Sequence, residues 1–410
     1  MPTRRRVLAA AASALLTPLL VIPLAGPAAT AGAHPRGGSL ASSIAVDWTR
    51  TAVRTIFVER GSAPPLGALY LSFTSLAVHD AARKGQRHGT RTAAAAVAQA
   101  AHDVLFEYFP LSGPALHAEL DASLAMVPDG AKEDAGVAIG AAAADAMIAS
   151  RADDGRFDPQ YVYTKAAALG IWPAAAVPGG MAFPWLGFVD PVVDVAPVAL
   201  DGPDPITSKA YARDYEEARR LGSVDSTRRS AERTAIAQFF AANSIVSYRN
   251  ALGDLLDAEP MGLLPTTRLF ARIDAAVATA FIQTWRLKYD VGFWRPAQAI
   301  AAGAVDGNER TRPHPTTWVP LVTYPAYSDY TSGHAAATSP FAQVVRRTFG
   351  DDTPLVLKGS GTQRSYATLT ALEHDTLNAR IWGGLHFRDA MDDGYHLGHT
   401  TADRVMAAIR

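Results

Sequence analysis

The sequence predicts an all-α protein built of helical bundles, and three observations carry that expectation. Apolar residues recur at spacings of three and four, as at Leu69, Phe73 and Leu76, and at Val97, Ala101, Val104 and Leu105. That spacing lines one face of a helix. Alanine is dense and β-branched runs are few. No stretch alternates apolar and polar residues as a half-buried strand would, and no fixed-period repeat is present.

Taken in order, the chain opens on a basic start, Met1 to Arg6, and an apolar run from Val7 to Leu24. Ala29-Thr30-Ala31 follows as a small-residue cleavage signal, so residues 1–31 read as a secretory signal peptide. Thr3-Arg4-Arg5-Arg6-Val7-Leu8 resembles a twin-arginine export signal, which predicts a secreted protein. Pro18 and Pro23 interrupt the apolar run and argue against an uncleaved anchor. No later segment is apolar enough to predict a membrane span in the mature chain. Residues 32–43 are rich in Gly, Ser and Pro and read as a flexible lead.

Residues 44–205 form an N-terminal helical region. Its helices break at Gly61-Ser62-Ala63-Pro64-Pro65 and at Pro128-Asp129-Gly130. The alanine-rich stretch Ala135 to Ala149 reads as a tightly packed helix. From 152 to 205 proline recurs, with Trp172 and Trp185 among glycines, and the expectation is a long ordered loop. Loops of that length without structure of their own are usually functional. Residues 206–410 form a C-terminal helical region, with helices expected over 208–221, 227–257, 266–290, 295–303, 333–348, 366–382 and 388–409.

Composition narrows the chemistry. There are 38 basic and 39 acidic residues, so no global field favours nucleic acid or an anionic membrane. Anion binding must come from a local cluster. The chain has no cysteine, which excludes disulfides, thiolate catalysis and zinc sites built on Cys.

Three clusters in the C-terminal region supply such a site. The first is Lys288-Tyr-Asp-Val-Gly-Phe-Trp-Arg295-Pro296. Lys288 and Arg295 are two helical turns apart and share a face if the helix continues, while Pro296 suits the start of a new one. Solvated surface is the usual fate of such cations. Trp285, Phe293 and Trp294 make these flanks too apolar for an ordinary wet face. The second is Thr331-Ser332-Gly333-His334, placed before an alanine-rich helix. There Ser332 is either a plain N-cap or, with the Gly333 amide, part of an anion site at the helix N-terminus. His334 would stand beside the anion for acid–base work. The third is Arg380-Ile-Trp-Gly383-Gly384-Leu-His386-Phe-Arg-Asp389. On one helix Arg380 and His386 would point about 120° apart, but the glycine pair can break it and let both converge. The plain alternative is a linker with a surface histidine.

Together the clusters resemble those of the vanadium-dependent haloperoxidases and the related phosphatidic-acid phosphatase type 2 acid phosphatases. That superfamily carries Lys-x6-Arg-Pro, then Pro-Ser-Gly-His, then Ser-Arg-x5-His-x3-Asp. Gly170-Ile-Trp-Pro173, the Pro184-Trp-Leu-Gly loop, Ser208-Lys-Ala-Tyr211 and the run Arg233 to Phe239 are similar to secreted bacterial haloperoxidases. The resemblance implies a helical-bundle fold. It also implies that Lys288, Arg295, Arg380, Ser332 and Gly333 bind vanadate oxygens. His334 is then the acid–base residue, His386 the ligand to the metal, and Lys288 polarises bound peroxide. Trp285 matches a family position near the oxyanion.

The chain departs from the pattern at three places. Thr331 replaces its Pro, Ala379 replaces its Ser, and the final acid falls one residue early, at Asp389. Asp389, Asp392 and Asp393 are therefore all candidates to support His386. Tyr327, seven residues before His334, matches neither the Phe of chloroperoxidases nor the second His of bromoperoxidases. The implied activity is oxidation of halide by hydrogen peroxide to a hypohalite-like species that meets a small organic acceptor. Phosphate shares the shape and charge of vanadate. The same site could therefore serve a secreted acid phosphatase, with His386 as nucleophile and His334 protonating the leaving group. Similarity along the whole chain and the Trp/Pro loop favour the haloperoxidase. A non-catalytic binding protein would be expected to have lost a cluster member, and none is lost. A serine hydrolase would need a Gly-x-Ser-x-Gly elbow, which Ser332 lacks.

Overall fold

The computed structural model describes residues 39–173, 178–312, 315, 317–359 and 361–410. The expected signal peptide and residues 32–38 lie outside the described residues. Helix α1 (Leu40–Val53) starts within the stretch read as a flexible lead. Its serines explain the difference: the Ser39 hydroxyl accepts from the Ser42 N–H at 3.3 Å and caps the helix.

The first helical bundle continues with α2 (Pro64–Gln86), α3 (Thr90–Tyr108), α4 (Gly113–Leu124) and α5 (Ala131–Ser150). Pro64 and Pro65 open α2, where a missing N–H costs nothing. A Cβ at Gly136 would meet Thr92 O, and one at Gly140 would meet Ala96 O, each at 2.5 Å. So α5 lies against α3 at backbone distance, as the alanine-rich sequence predicted.

The described residues of 152–173 and 178–205 run as a loop that includes the short turn Pro184–Phe188. Then come α6 (Lys209–Leu221), α7 (Ala231–Phe239), α8 (Ser244–Ala258), α9 (Leu263–Asp290), α10 (Pro296–Ala302), α11 (Gly333–Phe349), α12 (Leu369–Trp382) and α13 (Arg388–Ala408). Loop and bundle touch where a Cβ at Gly187 would overlap the Arg286 backbone in α9.

Two expectations need correction. The helix expected over 227–257 is two helices, α7 and α8. Asn243 stops the first from running on by capping the second, its side chain accepting from Ile245 N–H at 3.1 Å. The apolar spacing runs through this break, so periodicity alone does not reveal it. The second correction is an antiparallel hairpin, β1 (Leu355–Gly359) and β2 (Thr362–Tyr366), with Leu355 opposite Tyr366. Its alternation is hidden because Val356 is 42% exposed between the buried Leu355 and Leu357. Every other element among the described residues is helical or loop, and the fold is all-α in class. None of the described helices is long and apolar enough to cross a membrane.

Helices α11 and α13 approach unusually closely. A Cβ at Gly394 would lie 2.7 Å from Ala335 Cβ, and one at Gly398 would overlap Ser339. The Ser332 N–H donates to Ala390 O at 3.0 Å and fixes the start of α11 on α13.

One titration follows from the first bundle. His79 in α2 is buried and bonds Thr267 Oγ1 of α9 at 3.0 Å. Burial first, then Arg83, Arg268 and Arg272 against the weaker pull of Asp80, push its pKa down from 6.5 to about 4. In that window the unfolded chain binds more protons than the folded one, so stability falls as pH falls from 6.5 towards 4. His79→Gln, which cannot titrate, should lose less stability than the wild type between about pH 7 and pH 4.5. Thermal melts of both proteins at the two pH values check this, and equal losses would contradict it.

Candidate active site

The last turns of α9 place Trp285 and Lys288 inward, both fully buried. The chain then turns at Gly292, whose φ is +66°. A Cβ there would overlap the Tyr163 hydroxyl. Arg295 follows as the N-cap of α10 and is also fully buried.

The segment 327–332 runs between these cations and supplies their acceptors. Lys288 Nζ donates to Ser328 O and Asp329 O, each at 2.9 Å. Arg295 donates to Tyr327 O at 2.7 Å, to Ser328 O at 3.3 Å and to Leu385 O at 2.8 Å. The segment then enters α11 with Ser332 as N-cap, Gly333 as first residue and His334 as second.

Arg380 lies in the last turn of α12. Its Nη1 donates to Phe240 O at 2.8 Å, across the turn that separates α7 from α8. Its Nε is buried and finds no protein acceptor. The Gly383-Gly384 pair ends α12, with Gly384 at φ +74° packed on Gly222 O. This reversal brings His386 back to the cluster, where its Nε2 lies 3.5 Å from Arg295 Nη1.

Lys288, Arg295, Arg380 and His386 thus meet in one buried place. His334 feels the field of all three cations, and His386 feels that of His334. Tyr327 and Trp285 pack on the cluster. Lys288 Nζ is 4.9 Å and Arg295 Cζ 5.0 Å from the Tyr327 ring centre, and the Trp285 and Tyr327 rings are 4.9 Å apart. Gly333, His334, Trp285 and Tyr327 line a cavity of about 240 Å³ in front of the cluster. A larger groove of about 790 Å³ over α6 shares none of these residues.

Asp389 does not face His386. Its carboxylate accepts from the Asp204 N–H at 3.1 Å. Asp393 instead accepts from the Tyr330 hydroxyl. The acid beside His386 is Asp329, whose Oδ1 is 2.6 Å from His386 Nδ1, at ion-pair distance though not aligned as a hydrogen bond. Asp329 sits in the turn-rich segment before Ser332. Nothing in its spacing marks it over Asp389, because its position depends on how 327–332 crosses the cations. Thr331, in the motif's Pro position, bonds Thr284 Oγ1 at 3.2 Å.

Burial dominates the electrostatics. It drives the pKa of Lys288 well down, with Arg295 adding to the effect and Asp329 opposing it. It lowers Arg295 and takes Arg380 down to about 9. Both histidines are pushed well below their ordinary value by burial and then by the cations, so both are neutral near pH 7. Burial raises Asp329 to about 7 against the pull of Arg295 and Lys288. Lys288 and Arg295 both face Asp329, and Arg380 stands within the field of Arg295. The cations, an orphaned guanidinium N–H and a helix N-terminus are a donor set suited to a tetrahedral oxyanion. His386 Nε2 is suited to bond its central atom.

Residues 268–410 match the family model of the VCPO second helical-bundle domain. That segment is similar to the second helical bundle of that family. The match begins within α9 and spans all three clusters. Solved structures extend the likeness to the first bundle. The first bacterial vanadium-dependent iodoperoxidase is similar at 18% identity with a TM-score of 0.70, over 89% of this chain and 96% of that one. An apo-type bacterial vanadium-dependent chloroperoxidase is similar at 17% identity with a TM-score of 0.64, over 84% of this chain and 93% of that one. Its holo-type counterpart gives 18% identity and a TM-score of 0.61, over 85% and 92%. No curated protein matches the chain by sequence. The chain has the vanadium haloperoxidase fold.

Proposed function

We propose that the chain is a secreted, vanadate-dependent haloperoxidase that uses hydrogen peroxide to oxidise halide. The observation that carries the reading is the convergence of Lys288, Arg295 and Arg380 on His386, with the Asp329 carboxylate beside its other nitrogen. Fold likeness over both bundles favours a haloperoxidase over a phosphatase.

In this reading Lys288, Arg295, Arg380, the Ser332 hydroxyl and the Gly333 N–H hold the vanadate oxygens. His386 binds the metal through Nε2, and Asp329 favours the tautomer with its proton on Nδ1. When bound, vanadate supplies Lewis-acid activation of hydrogen peroxide towards halide, without itself changing oxidation state. His334, neutral in this field, accepts a proton from the entering peroxide through a ring nitrogen and returns it later. Tyr327 and Trp285 cover the cations and keep bulk water from them.

The test is bromination of monochlorodimedone by the purified protein with vanadate and peroxide, beside hydrolysis of p-nitrophenyl phosphate without vanadate. We expect bromination, and competition by phosphate, which needs the same donors. Hydrolysis with no bromination would overturn the reading in favour of the phosphatase.

A further inference from the structure

The cavity in front of the cluster is built unlike a halide site. Its walls are mostly carbon, with Phe183, Ala242, Ile245, Phe281, Trp285 and Ala337 beside the polar Asn243 and Ser244. His334 and Tyr327 line it as well. Halide and peroxide are small and strongly hydrated, and neither gains from an apolar, aromatic-walled chamber. An uncharged ring system does gain, through area removed from water and through ring-on-ring contact.

The size argues for one molecule of limited bulk. A volume of about 240 Å³ lies just below the usual range for drug-sized ligands, roughly 300 to 1,000 Å³, and suits one or two fused rings. The walls are also held in place. The Trp285 indole N–H donates to Ala182 O at 3.1 Å, and Phe183 takes a left-handed backbone, φ 56°. Pro64, Pro65 and Pro325 stiffen the rim. Little ordering is left to be done on binding.

We propose that this chamber binds an uncharged, flat aromatic acceptor beside His334, so that halogenation occurs on a held substrate. This rests on the haloperoxidase reading. Halide, peroxide and a proton give hypohalous acid and water, the halide losing two electrons to the peroxide O–O bond. The held ring then attacks the halogen through carbon. A C–X bond forms and the X–O bond breaks. The ring C–H proton leaves with the hydroxide as a second water.

The experiment uses the full protein without vanadate, titrated with 2-naphthol in a calorimeter. Ala242 lines the chamber and is only partly buried, on the turn before α8. Ala242→Trp fills the chamber and Ala242→Leu fills it in part. We expect one binding site in the wild type, weakened at least tenfold by Trp and less by Leu. Vanadate titration of the same variants shows that they are folded. With vanadate, peroxide and bromide, the wild type should give a ratio of brominated naphthols different from that made by hypobromite alone. Ala242→Trp should give the hypobromite ratio. Absence of 2-naphthol binding, or binding indifferent to both substitutions, overturns the proposal. Binding of 2-naphthol without any halide oxidation would retain the chamber and overturn the haloperoxidase reading beneath it.

Discussion

His386→Ala should lower vanadate affinity by more than the roughly 10- to 100-fold typical of losing a mere supporting partner, because it removes the proposed bond to the metal itself. The three cations and the start of α11 remain, so a weaker, purely electrostatic attraction for oxyanions should persist. His334→Ala should behave oppositely. It leaves the bond and the cations intact and removes the proton carrier, a role worth about 10²–10⁴ in rate. Vanadate affinity should change little while halide oxidation falls by that factor. Calorimetry on the vanadate-free proteins, set beside bromination rates, separates the two. If His334→Ala loses affinity and His386→Ala keeps it, the roles are exchanged. If neither quantity moves in either variant, the site lies elsewhere.

Arg380→Met should separate stability from function. Arg380 is 4% exposed, bonds one protein carbonyl and leaves its Nε without an acceptor. A half-satisfied buried cation is costly in the absence of an anion, and its like-charged neighbour Arg295 adds to that cost. Methionine keeps most of the apolar stem and removes the charge. The vanadate-free variant should therefore melt at or above the wild-type temperature. Its affinity for vanadate and phosphate should fall by about 10- to 150-fold, the loss of one charge-assisted hydrogen bond of about 1.5–3 kcal/mol. The wild type should gain about 2.7 kcal/mol of stability at an anion concentration 100 times Kd. The variant should gain much less at the same concentration. Thermal melts with and without phosphate measure both effects. A variant that melts far below the wild type and still gains fully from phosphate would show that Arg380 serves the fold and not the anion.

Much of this was legible in the sequence because the informative residues carry their reason locally. The prolines opening α2 and α10, the serine before α11 and the glycine pair after α12 each dictate a break or a start whatever surrounds them. Cations embedded in an apolar run, as at Lys288 and Arg295, conflict with ordinary surface placement and so point inward. What stayed hidden depends on tertiary placement. Asp329 differs from Asp389 only in which way its loop crosses the cations. The turn at 240–243 matters because Phe240 O meets Arg380, a residue 140 positions away. The hairpin escaped notice because its middle apolar side chain points to solvent.

The seam between α11 and α13 has a consequence for how exact the site can be. His334 rides on the first turn of α11, and His386 lies just before α13. The two helices meet at Gly394 and Gly398 with scarcely an atom between them. The Ser332–Ala390 hydrogen bond lies at the same end. The spacing of the histidines is thus gauged by glycine main chain of α13 against the short side chains of Ala335 and Ser339 in α11. Long side chains hop between rotamers on the nanosecond scale, whereas glycine and alanine have no rotamer to hop to and Ser339 is tied to Ala335 O at 2.8 Å. A methyl group added at Gly398 would act as a shim, forcing the helices apart near Ser339 and shifting the elements that carry both rings. The smallest residues in the domain therefore work as its gauge blocks.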